Sequence, residues 1–569
     1  MKKIVIYLMY LFVVTAVLAQ STAPRQEPLN PEFIRYAKIH SREAVEKSAS
    51  RYNSLGYMPH TVAYKAEVPD DYTEEEMLPS VYDLRSYNLI TSVKNQGNCG
   101  TCWSFASLGS IESRWLKLGF GTWDLSENNV VYGHGFEYAP DDGGNAAMTT
   151  AYLIRGDGPI FETDDPYQGC AGSYHAGLTP VAYIPDMRVL PEERNVIKQH
   201  VYDYGALYVC YYQDTSYYDS ETYTYFYNGP DTTATNHCVL LAGWDDTKET
   251  AGGVGAWIVK NSWSSFFGDN GYFYISYYDS TGVSDPTVWP NRIDYNDKVS
   301  ICYYDTLGNT AGWGYGWGKQ DYVDYGLIHF TVPQNSTITK LGTWVKASGG
   351  SVDFSVFDTF NGSALSGLLG TISEQTCNYP GYYTFDLPEP IQLKNGGDIY
   401  IKTRYYAPGD SYPIPTESYT AFGDLVYADP GFKLGECWIS DTGNSGTWYE
   451  SNSSREFDLC IKAYVISDQT GIDQESHPSV VPKKCKLLQN YPNPFNPLTS
   501  IQFTVKEAGP VSLKVYSLLG KELTTLVNSY YQPGHYQVSF NASGMATGVY
   551  MYRITMKNFS AVKKMVVMD

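Results

Sequence analysis

QGNCGTCWSF, residues Gln96 to Phe105, leads into an amphipathic run of the chain. The apolar residues of this run are Trp103, Phe105, Leu108, Ile111 and Trp115. Their spacing predicts a helix that begins at Cys102. Unpaired backbone N–H groups and the positive end of a helix dipole stabilise a thiolate at such a position, and the thiolate is the form that attacks a carbonyl carbon. Cys102 is therefore a candidate nucleophile.

The length, charge and composition of the chain limit its organisation and its partners. At 569 residues it exceeds a single hydrophobic core, and about 150 residues per domain predicts three or four domains. The net charge of −21 argues against nucleic acid or an anionic membrane as the main partner, because both are bound by clustered Lys and Arg. With 53 tyrosines, 51 glycines and only 18% charged residues, the composition favours β-rich, turn-rich architecture.

The first 19 residues have the layout of a secretory signal peptide. Lys2 and Lys3 precede an apolar run from Ile4 to Leu18, and the small residue Ala19 follows. We expect cleavage after Ala19, with an uncleaved membrane anchor as the alternative. Export places the ten cysteines in an oxidising compartment, where disulfides persist. With Cys102 set aside, nine of the ten remain, so at least one is expected to be free or to pair outside the chain.

The peptide Cys99-Gly100-Thr101-Cys102-Trp103 resembles the active-site signature C-G-[SA]-C-[WY] of the papain-like cysteine peptidases. Only Thr101 departs from it, by one methyl group. The resemblance extends from Leu78 to about Tyr295. Further local matches in the order of that family are Leu125-Ser126-Glu127, Gly143-Gly144 and Asp165-Pro166-Tyr167. The resemblance implies an α+β papain-like peptidase domain at residues 78–295.

Two later apolar runs carry a histidine and an asparagine. His237 heads the first run, and Asn261 follows the second, which begins at Trp257. Two adjacent buried strands would hold these side chains next to each other. His237 lies 135 residues after Cys102, within the family's range of about 130–150 residues, whereas Asn261 lies 159 residues after it. We expect a modest insertion, the tyrosine-rich loop 211–227, to account for the difference.

The papain resemblance implies a role for each matching position. Cys102 is the nucleophile, and His237 forms a thiolate–imidazolium pair with it and later protonates the leaving amine. Asn261 holds the imidazole ring, and Trp263 shields that hydrogen bond from water. The side-chain amide of Gln96 and the backbone N–H of Cys102 form the oxyanion hole.

Two glycines, Gly143 and Gly144, are expected to bind substrate, because a substrate backbone can lie close to them and pair as a strand. Two aspartates stand just before them, where the plant and animal enzymes of the family carry a cysteine. The usual disulfide partner of Cys99 is therefore missing from its place. If Cys99 is bridged, the candidates are Cys170 and Cys210.

The pair Cys99-x-x-Cys102 has two other interpretations, a redox pair and half of a zinc site. The sequence has no second CxxC and no His-x3–5-His pattern, so neither a metal nor a cofactor is expected. No thioredoxin-like βαβ context surrounds the pair. The stretch Gly312–Lys319 is glycine-rich, but Trp313 and Gln320 stand where a P-loop needs Gly and Ser or Thr. Cys238, next to the candidate histidine, is most simply a buried packing thiol.

Residues 20–77 form a polar segment with one predicted helix, Pro31 to Ser50. A detachable pro-segment and a disordered spacer are the two interpretations. We favour the pro-segment, because a secreted protease needs restraint until export is complete.

The C-terminal half of the chain has a different sequence pattern. At residues 296–466, short apolar runs separated by Gly, Asn, Asp and Pro turns predict an antiparallel β-sandwich. In order and composition this region resembles the lectin-like domain that follows some bacterial papain-like peptidase domains, which implies a carbohydrate ligand. A polar linker is predicted at residues 467–486.

The peptide LLQNYPNPFNP, residues Leu487 to Pro497, opens the last predicted domain, residues 487–569. With the strand-like runs that follow, it resembles the C-terminal sorting domain of the type IX secretion system. Such domains are small β-sandwiches that carry cargo across the outer membrane of certain Gram-negative bacteria. Lys563 and Lys564 indicate an edge-like last strand. A fibronectin-like spacer is the alternative.

These features predict a multidomain protein, an α+β papain-like peptidase domain followed by two all-β sandwich domains. The predicted function is that of a secreted cysteine endopeptidase, which reaches the surface of a Gram-negative bacterium by way of the periplasm. Expected partners are protein or peptide substrates, the type IX secretion machinery and a carbohydrate, with no nucleic acid. The alternatives are a surface adhesin with a secondary peptidase-like domain and an acyl-transfer enzyme with an amine acceptor.

Overall fold

The computed structural model describes residues 23–40, 55–69, 72, 78–136, 138–230, 234–315, 321–423, 425–430, 432–467, 485–487, 490, 493, 495, 497–518, 520–531 and 534–568. The predicted signal peptide and most of the predicted linker lie outside these residues. Among the residues described, no helix is long and apolar enough to cross a membrane.

The described helices lie in the first part of the chain. The α-helices are α1 Pro31–His40, α2 Cys102–Lys117, α3 Glu127–Gly133, α4 Ala146–Ile154 and α5 Arg194–Tyr204. Short 3₁₀ turns lie at Leu84–Tyr87, Gly169–Ala171 and Thr215–Tyr217. Helix α2 begins at Cys102, as the spacing of its apolar residues predicts, and most of its length is buried. The helix predicted from Pro31 to Ser50 is described only as far as His40.

Side-chain caps fix where two of these helices begin. The Ser126 hydroxyl accepts a hydrogen bond from the Asn129 N–H at the start of α3. The Asn145 side chain accepts one from the Met148 N–H at the start of α4. Both caps satisfy backbone donors that a helix leaves unpaired in its first turn. Because Asn145 follows the two glycines of the predicted substrate site, its cap also fixes the direction in which the chain leaves them.

The peptidase half of the structure is built on a central sheet. The strands up to residue 294 are β1 Arg25–Gln26, β2 Val81–Asp83, β3 Ala182–Tyr183, β4 Met187–Val189, β5 Leu207–Tyr211, β6 Tyr218–Asp219, β7 Thr224–Tyr225, β8 His237–Thr250, β9 Gly253–Lys260, β10 Tyr272–Ser276, β11 Ser284–Val288 and β12 Ile293–Asp294. All belong to the central sheet except β1 and the separate pair β3 and β12. The order β11-β5-β8-β9-β10-β7-β6 places β8 and β9 side by side in antiparallel register, Leu240 opposite Lys260. Helix α2 packs against β8. The two apolar runs of the sequence are therefore adjacent buried strands, as predicted.

The next region is a β-sandwich. Its strands are β13 Val299–Cys302, β14 Ala311–Gly314, β15 Val323–Val332, β16 Ser336–Val345, β17 Gly350–Phe360, β18 Leu365–Cys377, β19 Gly381–Leu393, β20 Gly397–Tyr406, β21 Ile414–Ser418, β22 Thr420–Phe422, β23 Leu425–Ala428, β24 Cys437–Ser440, β25 Tyr449–Glu450, β26 Phe457–Leu459 and β27 Ile461–Ser467. A six-stranded sheet, β18-β17-β20-β15-β24-β25, packs on the strands β13-β27-β16-β19. Their inner faces share one core, in which Ile328, Leu341 and Val356 have no exposed surface. The predicted sandwich is confirmed.

The last domain is a smaller sandwich. Its strands are β28 Lys486–Leu487, β29 Leu498–Val505, β30 Gly509–Ser517, β31 Glu522–Tyr531, β32 Gly534–Asn541, β33 Gly548–Met556 and β34 Phe559–Val567. A sheet of order β28-β29-β32 and a sheet of order β31-β30-β33-β34 enclose a core that includes Phe503, Leu513 and Ile554. Strand β34, which carries the two lysines, lies at the end of its sheet. The fold class predicted from the sequence, one α+β domain followed by two β-sandwiches, is confirmed.

A single sheet runs through the first two domains, which the sequence did not predict. Strand β19 of the sandwich pairs with β4 of the peptidase half, Gly381 opposite Arg188 and Tyr382 opposite Met187. Both domains thereby share a 13-stranded sheet. Tyr382 and Trp344 of the sandwich also belong to the same apolar core as the residues of α4. The junction is a packed hydrophobic interface with backbone hydrogen bonds, and it holds the two domains in one orientation.

Substitution of Gly381 tests this junction. Gly381 has a φ of 150°, and a Cβ at this position would lie 2.0 Å from the Met187 carbonyl oxygen. We expect Gly381→Ala to lower the free energy of unfolding by about 2–4 kcal/mol, because it combines overlap with backbone strain. Urea denaturation followed by tryptophan fluorescence measures this loss.

The matched control is Gly397→Ala. Gly397 has a φ of 116°, but no atom lies within 4 Å of a Cβ built there. For the Gly397→Ala variant, the free energy of unfolding should fall only by the cost of backbone strain, about 1 kcal/mol. Equal losses in the two variants would contradict a tight junction at β4 and β19.

Candidate active site

Helix α2 presents the Cys102 thiol at its first turn. Thr101 precedes the helix, and its carbonyl accepts the Ser104 N–H at 3.0 Å. Cys102 has no exposed surface. The backbone N–H of Cys238, at the start of β8, donates to Cys102 Sγ at 3.3 Å. A helix N-terminus and a strand N–H therefore both direct positive partial charge at the sulfur.

His237 and Asn261 form the hydrogen bond that the sequence predicted. His237 Nε2 lies 2.9 Å from Asn261 Oδ1, so the nitrogen donates and the amide oxygen accepts. Asn261 follows directly after β9, where its N–H donates to the Gly271 carbonyl at 2.9 Å. The ring of Trp263 stacks on the imidazole, with centroids 4.8 Å apart and an interplanar angle of 22°. Both His237 and Asn261 are buried, so this bond is closed to water.

The hydrogen bond from His237 Nε2 to Asn261 also fixes the position of the other ring nitrogen, Nδ1. Because Nε2 donates to Asn261, Nδ1 is the His237 nitrogen that is available to interact with Cys102 Sγ. Nδ1 has no other hydrogen-bond partner among the described protein atoms. Burial raises the pKa of the Cys102 thiol well above its usual range, and the neighbouring Cys238 thiol adds to this effect. His237 lowers the pKa of Cys102 by its charge and by hydrogen bonding. In this closed arrangement burial therefore favours the thiol, and His237 opposes that effect.

Gln96 is held by Ser262, a residue that the sequence reasoning missed. The Gln96 N–H donates to the Ser262 carbonyl at 2.8 Å. The Ser262 hydroxyl donates to Gln96 Oε1 at 2.6 Å. Because the amide oxygen is occupied in this way, Nε2 points to the cleft, where it donates to the carbonyls of Cys99 at 2.9 Å and Leu55 at 3.4 Å. The position of Ser262 between Asn261 and Trp263 was the signal available in the sequence.

The predicted substrate side of the cleft is occupied by the N-terminal segment, defined as the described residues 23–40 and 55–69. Gly144 donates its N–H to the Gly56 carbonyl at 2.9 Å and accepts the Met58 N–H at 3.0 Å. Tyr57 lies opposite Gly144 in a parallel bridge. A Cβ on Gly143 would lie 2.8 Å from the Gly56 oxygen. Gly144 therefore pairs with the extended backbone of the segment, and Gly143 lies against it.

The N-terminal segment also binds the sandwich domain. Strand β1 pairs with β14, and the Glu27 N–H donates to the Gly312 carbonyl at 2.8 Å. Glu27 Oε2 lies 2.6 Å from Lys346 Nζ, which also lies 2.9 Å from Asp410 Oδ2. Lys346 has no exposed surface. Because a buried ammonium group needs its carboxylate partners, this pairing fixes the segment to the second domain.

The cysteines near the site have defined partners. Cys99 forms a disulfide with Cys170, one of the two candidates named from the sequence. Cys99 is therefore neither a redox partner of Cys102 nor a thiolate ligand for zinc. Cys238 is buried, as predicted, and its sulfur lies 3.2 Å from that of Cys210 on the paired strand. Part of the glycine-rich stretch at 312–319 lies in strand β14, and residues 316–320 fall outside the described part of the chain.

A cysteine at a helix N-terminus beside an aligned histidine and asparagine, on this α+β fold, defines the class of cysteine peptidases. The family model described as "Papain family cysteine protease" matches residues 78–290. The viral cathepsin of Spodoptera exigua nuclear polyhedrosis virus (strain US) is 32% identical over 268 residues, which cover 42% of this chain and 75% of that protein. The chain belongs to the papain family of cysteine proteases.

Other curated relatives match less of their own length or at lower identity. The viral cathepsin of Spodoptera litura multicapsid nucleopolyhedrovirus is 34% identical over 34% of this chain, and the match spans 56% of that relative. Cathepsin J of Mus musculus is 25% identical over 48% of this chain and 89% of its own. The chain thus spans 56% of the length of the first of these relatives and 89% of the length of the second.

The two downstream domains also match known families. Residues 301–465 match the model described as "Lectin like domain", and residues 489–568 match "Secretion system C-terminal sorting domain". The crystal structure of the cysteine protease and lectin-like domains of Cwp84, a surface layer associated protein of Clostridium difficile, covers 79% of this chain and 100% of its own, with a TM-score of 0.64 and 19% identity. A Cwp84 structure after propeptide cleavage covers 68% of this chain and 100% of its own, with a TM-score of 0.59 and 20% identity. These structures share the fold.

Removal of the Ser262 hydroxyl tests how Gln96 is positioned. Without the bond to Oε1, the Gln96 amide is free to rotate, and its N–H groups are no longer directed at the cleft. We expect Ser262→Ala to lower kcat by about 10- to 100-fold with little change in KM, since loss of a supporting hydrogen bond typically has this effect. Steady-state hydrolysis of a peptide after removal of the N-terminal segment measures both constants.

The control is Ser110→Ala on the same helix as Cys102. Ser110 is buried, and its hydroxyl donates to the Ala206 carbonyl at 2.8 Å, away from the cleft. It should cost stability but leave kcat unchanged. A Ser262→Ala enzyme with the kcat of the wild type would show that Gln96 does not depend on this bond.

Proposed function

We propose that the chain is a secreted cysteine endopeptidase that hydrolyses peptide bonds in proteins. The observation that carries the proposal is the alignment of Cys102, His237 and Asn261, with the Gln96 amide beside it. These are the groups that amide hydrolysis needs: a nucleophile, a base that becomes an acid, a residue that orients it, and a donor for the oxyanion.

The proposed mechanism begins with proton transfer from Cys102 to His237 Nδ1. The sulfur attacks the substrate carbonyl carbon, and the imidazolium gives its proton to the leaving amine nitrogen as the C–N bond breaks. A water molecule then attacks the thioester, transfers a proton to Nδ1 and releases the acid, which restores the thiol. Asn261 holds the ring through both steps, because its oxygen accepts from Nε2 at 2.9 Å.

The oxyanion is assigned to the side-chain N–H of Gln96 and the backbone N–H of Cys102. The Leu55 carbonyl, which lies 3.4 Å from Gln96 Nε2, indicates where a substrate carbonyl would approach these donors. Fixed donors of this kind stabilise developing negative charge without reorganisation.

Residues 20–77 are proposed to act as a pro-segment rather than as a spacer. Gly56 to Met58 pair with Gly144 where substrate would bind, and Cys102 and His237 have no exposed surface in this arrangement. The segment is also anchored on the lectin-like domain through Glu27 and Lys346. Proteolytic removal of the segment would open the cleft.

The C-terminal sorting domain supports export through the type IX secretion machinery, by way of the periplasm, to the surface of a Gram-negative bacterium or its surroundings. The lectin-like domain supports a carbohydrate ligand as a further partner. A purely adhesive protein would have no need of the buried Cys102–His237–Asn261 arrangement, so we place adhesion second.

The nucleophile is tested by Cys102→Ala. After the same added protease has removed residues 20–77 from both proteins, we expect hydrolysis of a denatured protein to fall by about 10⁴-fold or more, since the thiolate has no substitute. The control is Cys302→Ala, which removes a free thiol of the lectin-like domain and should keep full activity. Equal rates for wild type and Cys102→Ala would end the peptidase proposal.

The sorting role is tested by deletion of residues 487–569. The truncated protein should keep its peptidase activity, because the catalytic groups lie in another domain, but it should accumulate in the periplasm. Fractionation of the cells with an antibody to the peptidase domain measures this. Normal appearance of the truncated protein in the medium would contradict the role.

A further inference from the structure

Three free thiols lie next to one another behind the cleft. Cys210 on β5 and Cys238 on β8 stand directly opposite each other in antiparallel register, and their sulfur atoms are 3.2 Å apart. The Cys238 thiol is also hydrogen-bonded to the thiol of Cys102, and the backbone N–H of Cys238 donates to Cys102 Sγ at 3.3 Å. None of the three is exposed, and none belongs to a disulfide. The sulfur of Cys238 therefore contacts the other two sulfurs.

The pair Cys210 and Cys238 has the geometry that a disulfide requires. Directly opposite residues of antiparallel strands have Cα atoms about 4.5 or 5.5 Å apart, and disulfides join Cα atoms about 4.4–6.8 Å apart. The two sulfurs need to approach each other by about 1.2 Å to reach the bond length of about 2.0 Å. Rotation of the side chains supplies this movement, so the strands can keep their register.

The Tyr208 hydroxyl links both thiols of the pair. Its oxygen lies 3.0 Å from Cys238 Sγ and accepts the Cys210 S–H at 3.2 Å. Burial raises the pKa of Cys210 to about 11 and the pKa of Cys238 well above its usual range. Because a thiol reacts with an oxidant as its thiolate, both thiols stay protonated and reduced at neutral pH.

Cys102 is the thiol of this row that an oxidant would attack. It stands at the N-terminus of helix α2 beside a base, His237, and both favour its thiolate once the cleft is open. Such a thiolate is oxidised to a sulfenic acid, and a second oxidation to the sulfinic acid is irreversible. Cys99, three residues earlier, cannot reverse the first oxidation, because it is bound to Cys170. Cys238 is the thiol in contact with the oxidised sulfur.

We propose that Cys238 and Cys210 form a thiol relay that reduces an oxidised Cys102 and retains the oxidation as a Cys210–Cys238 disulfide. The two thiols thereby act as a built-in reductant for hydrogen peroxide or another hydroperoxide. The inference rests on the proposed function, since the oxidant reaches Cys102 after the N-terminal segment has been removed. A disulfide between Cys102 and Cys238 is the intermediate, because Cys238 contacts both of its partners.

The relay proceeds in three steps. The Cys102 thiolate attacks one oxygen of hydrogen peroxide, the O–O bond breaks, and the hydroxide that leaves takes up the proton held by His237, which forms water and a sulfenic acid. The Cys238 sulfur then attacks the Cys102 sulfur, the S–O bond breaks, and the hydroxyl leaves with the Cys238 proton as water. Last, the Cys210 sulfur attacks the Cys238 sulfur, and Cys102 leaves as a thiolate that takes up the Cys210 proton. Two thiols are thus oxidised to a disulfide, one peroxide is reduced to two waters, and Cys102 is again a thiol.

The test uses the full chain after an added protease has removed residues 20–77. The protein is treated with equimolar hydrogen peroxide, its remaining thiols are blocked with N-ethylmaleimide, and its disulfides are identified by peptide mass spectrometry. We expect a Cys210–Cys238 disulfide, a Cys102 that carries the maleimide, and unchanged hydrolysis of a denatured protein in a sample kept without maleimide. In Cys102→Ala the yield of this disulfide should fall about tenfold or more, because no sulfenic acid starts the relay.

Two further variants separate the steps. Cys210→Ala should stop at a Cys102–Cys238 disulfide and lose most of its activity with equimolar peroxide, and dithiothreitol should restore that activity. Cys238→Ala has no thiol in contact with Cys102. With twice the molar amount of peroxide it should form the sulfinic acid and lose activity that dithiothreitol does not restore, whereas the wild type should recover. Each variant is compared with its own rate before peroxide, which also shows that it is folded.

Cys302→Ala is the matched control, because it removes a free thiol outside the row and should respond as the wild type does. Hydrolysis before peroxide that depends on Cys102 reports the peptidase function separately, and the disulfide is identified by mass, without turnover. A Cys210–Cys238 disulfide that is present before peroxide, or that forms equally in Cys102→Ala, would overturn the relay while the enzyme proposal stands. Absence of this disulfide from the peroxide-treated wild type would overturn it as well.

Discussion

The half-buried ammonium group of Lys94 connects the elements that carry the proposed catalytic groups. Its Nζ lies 3.1 Å from Glu112 on α2 and 2.8 Å from Glu127 on α3. Lys94 precedes Gln96 by two residues, and Glu112 stands on the helix that begins with Cys102. Burial alone would lower the pKa of Lys94, but the two glutamates outweigh it and raise the pKa. Such a cluster is stable only when complete, so the loop and both helices keep one relative position.

A second constraint couples the peptidase and lectin-like domains. The shared 13-stranded sheet fixes the two domains to each other, and the N-terminal segment lies against both. Its strand β1 and Glu27 bind the lectin-like side, where Lys346 is fully buried, and Gly56 to Met58 bind the cleft. Contacts with both domains hold the described parts of the segment in place. The proposed restraint of the enzyme by this segment therefore involves both domains.

The sequence predicted the parts of the structure that depend on local pattern. The start of helix α2 at Cys102, the neighbouring strands that carry His237 and Asn261, and both sandwiches follow from periodicity and from motifs in register. The junction between β4 and β19 was not predictable, because strands as short as Met187–Val189 have no pattern of their own. The support of Gln96 by Ser262 was also missed, because a long-range hydrogen bond leaves no period in the sequence.

Burial of the proposed nucleophile, Cys102, beneath the N-terminal segment also explains how this extended segment can lie against it without being cut. With Gly56 to Met58 in place, Cys102 has no exposed surface and burial raises the pKa of its thiol. A protonated thiol is a poor nucleophile. Under the proposed pro-segment role, removal of the segment would expose the sulfur and reduce the desolvation that favours the thiol, while the helix N-terminus, the Cys238 N–H and His237 would remain to stabilise the thiolate. In the proposed zymogen, occupation of the cleft would therefore control both access to Cys102 and its protonation.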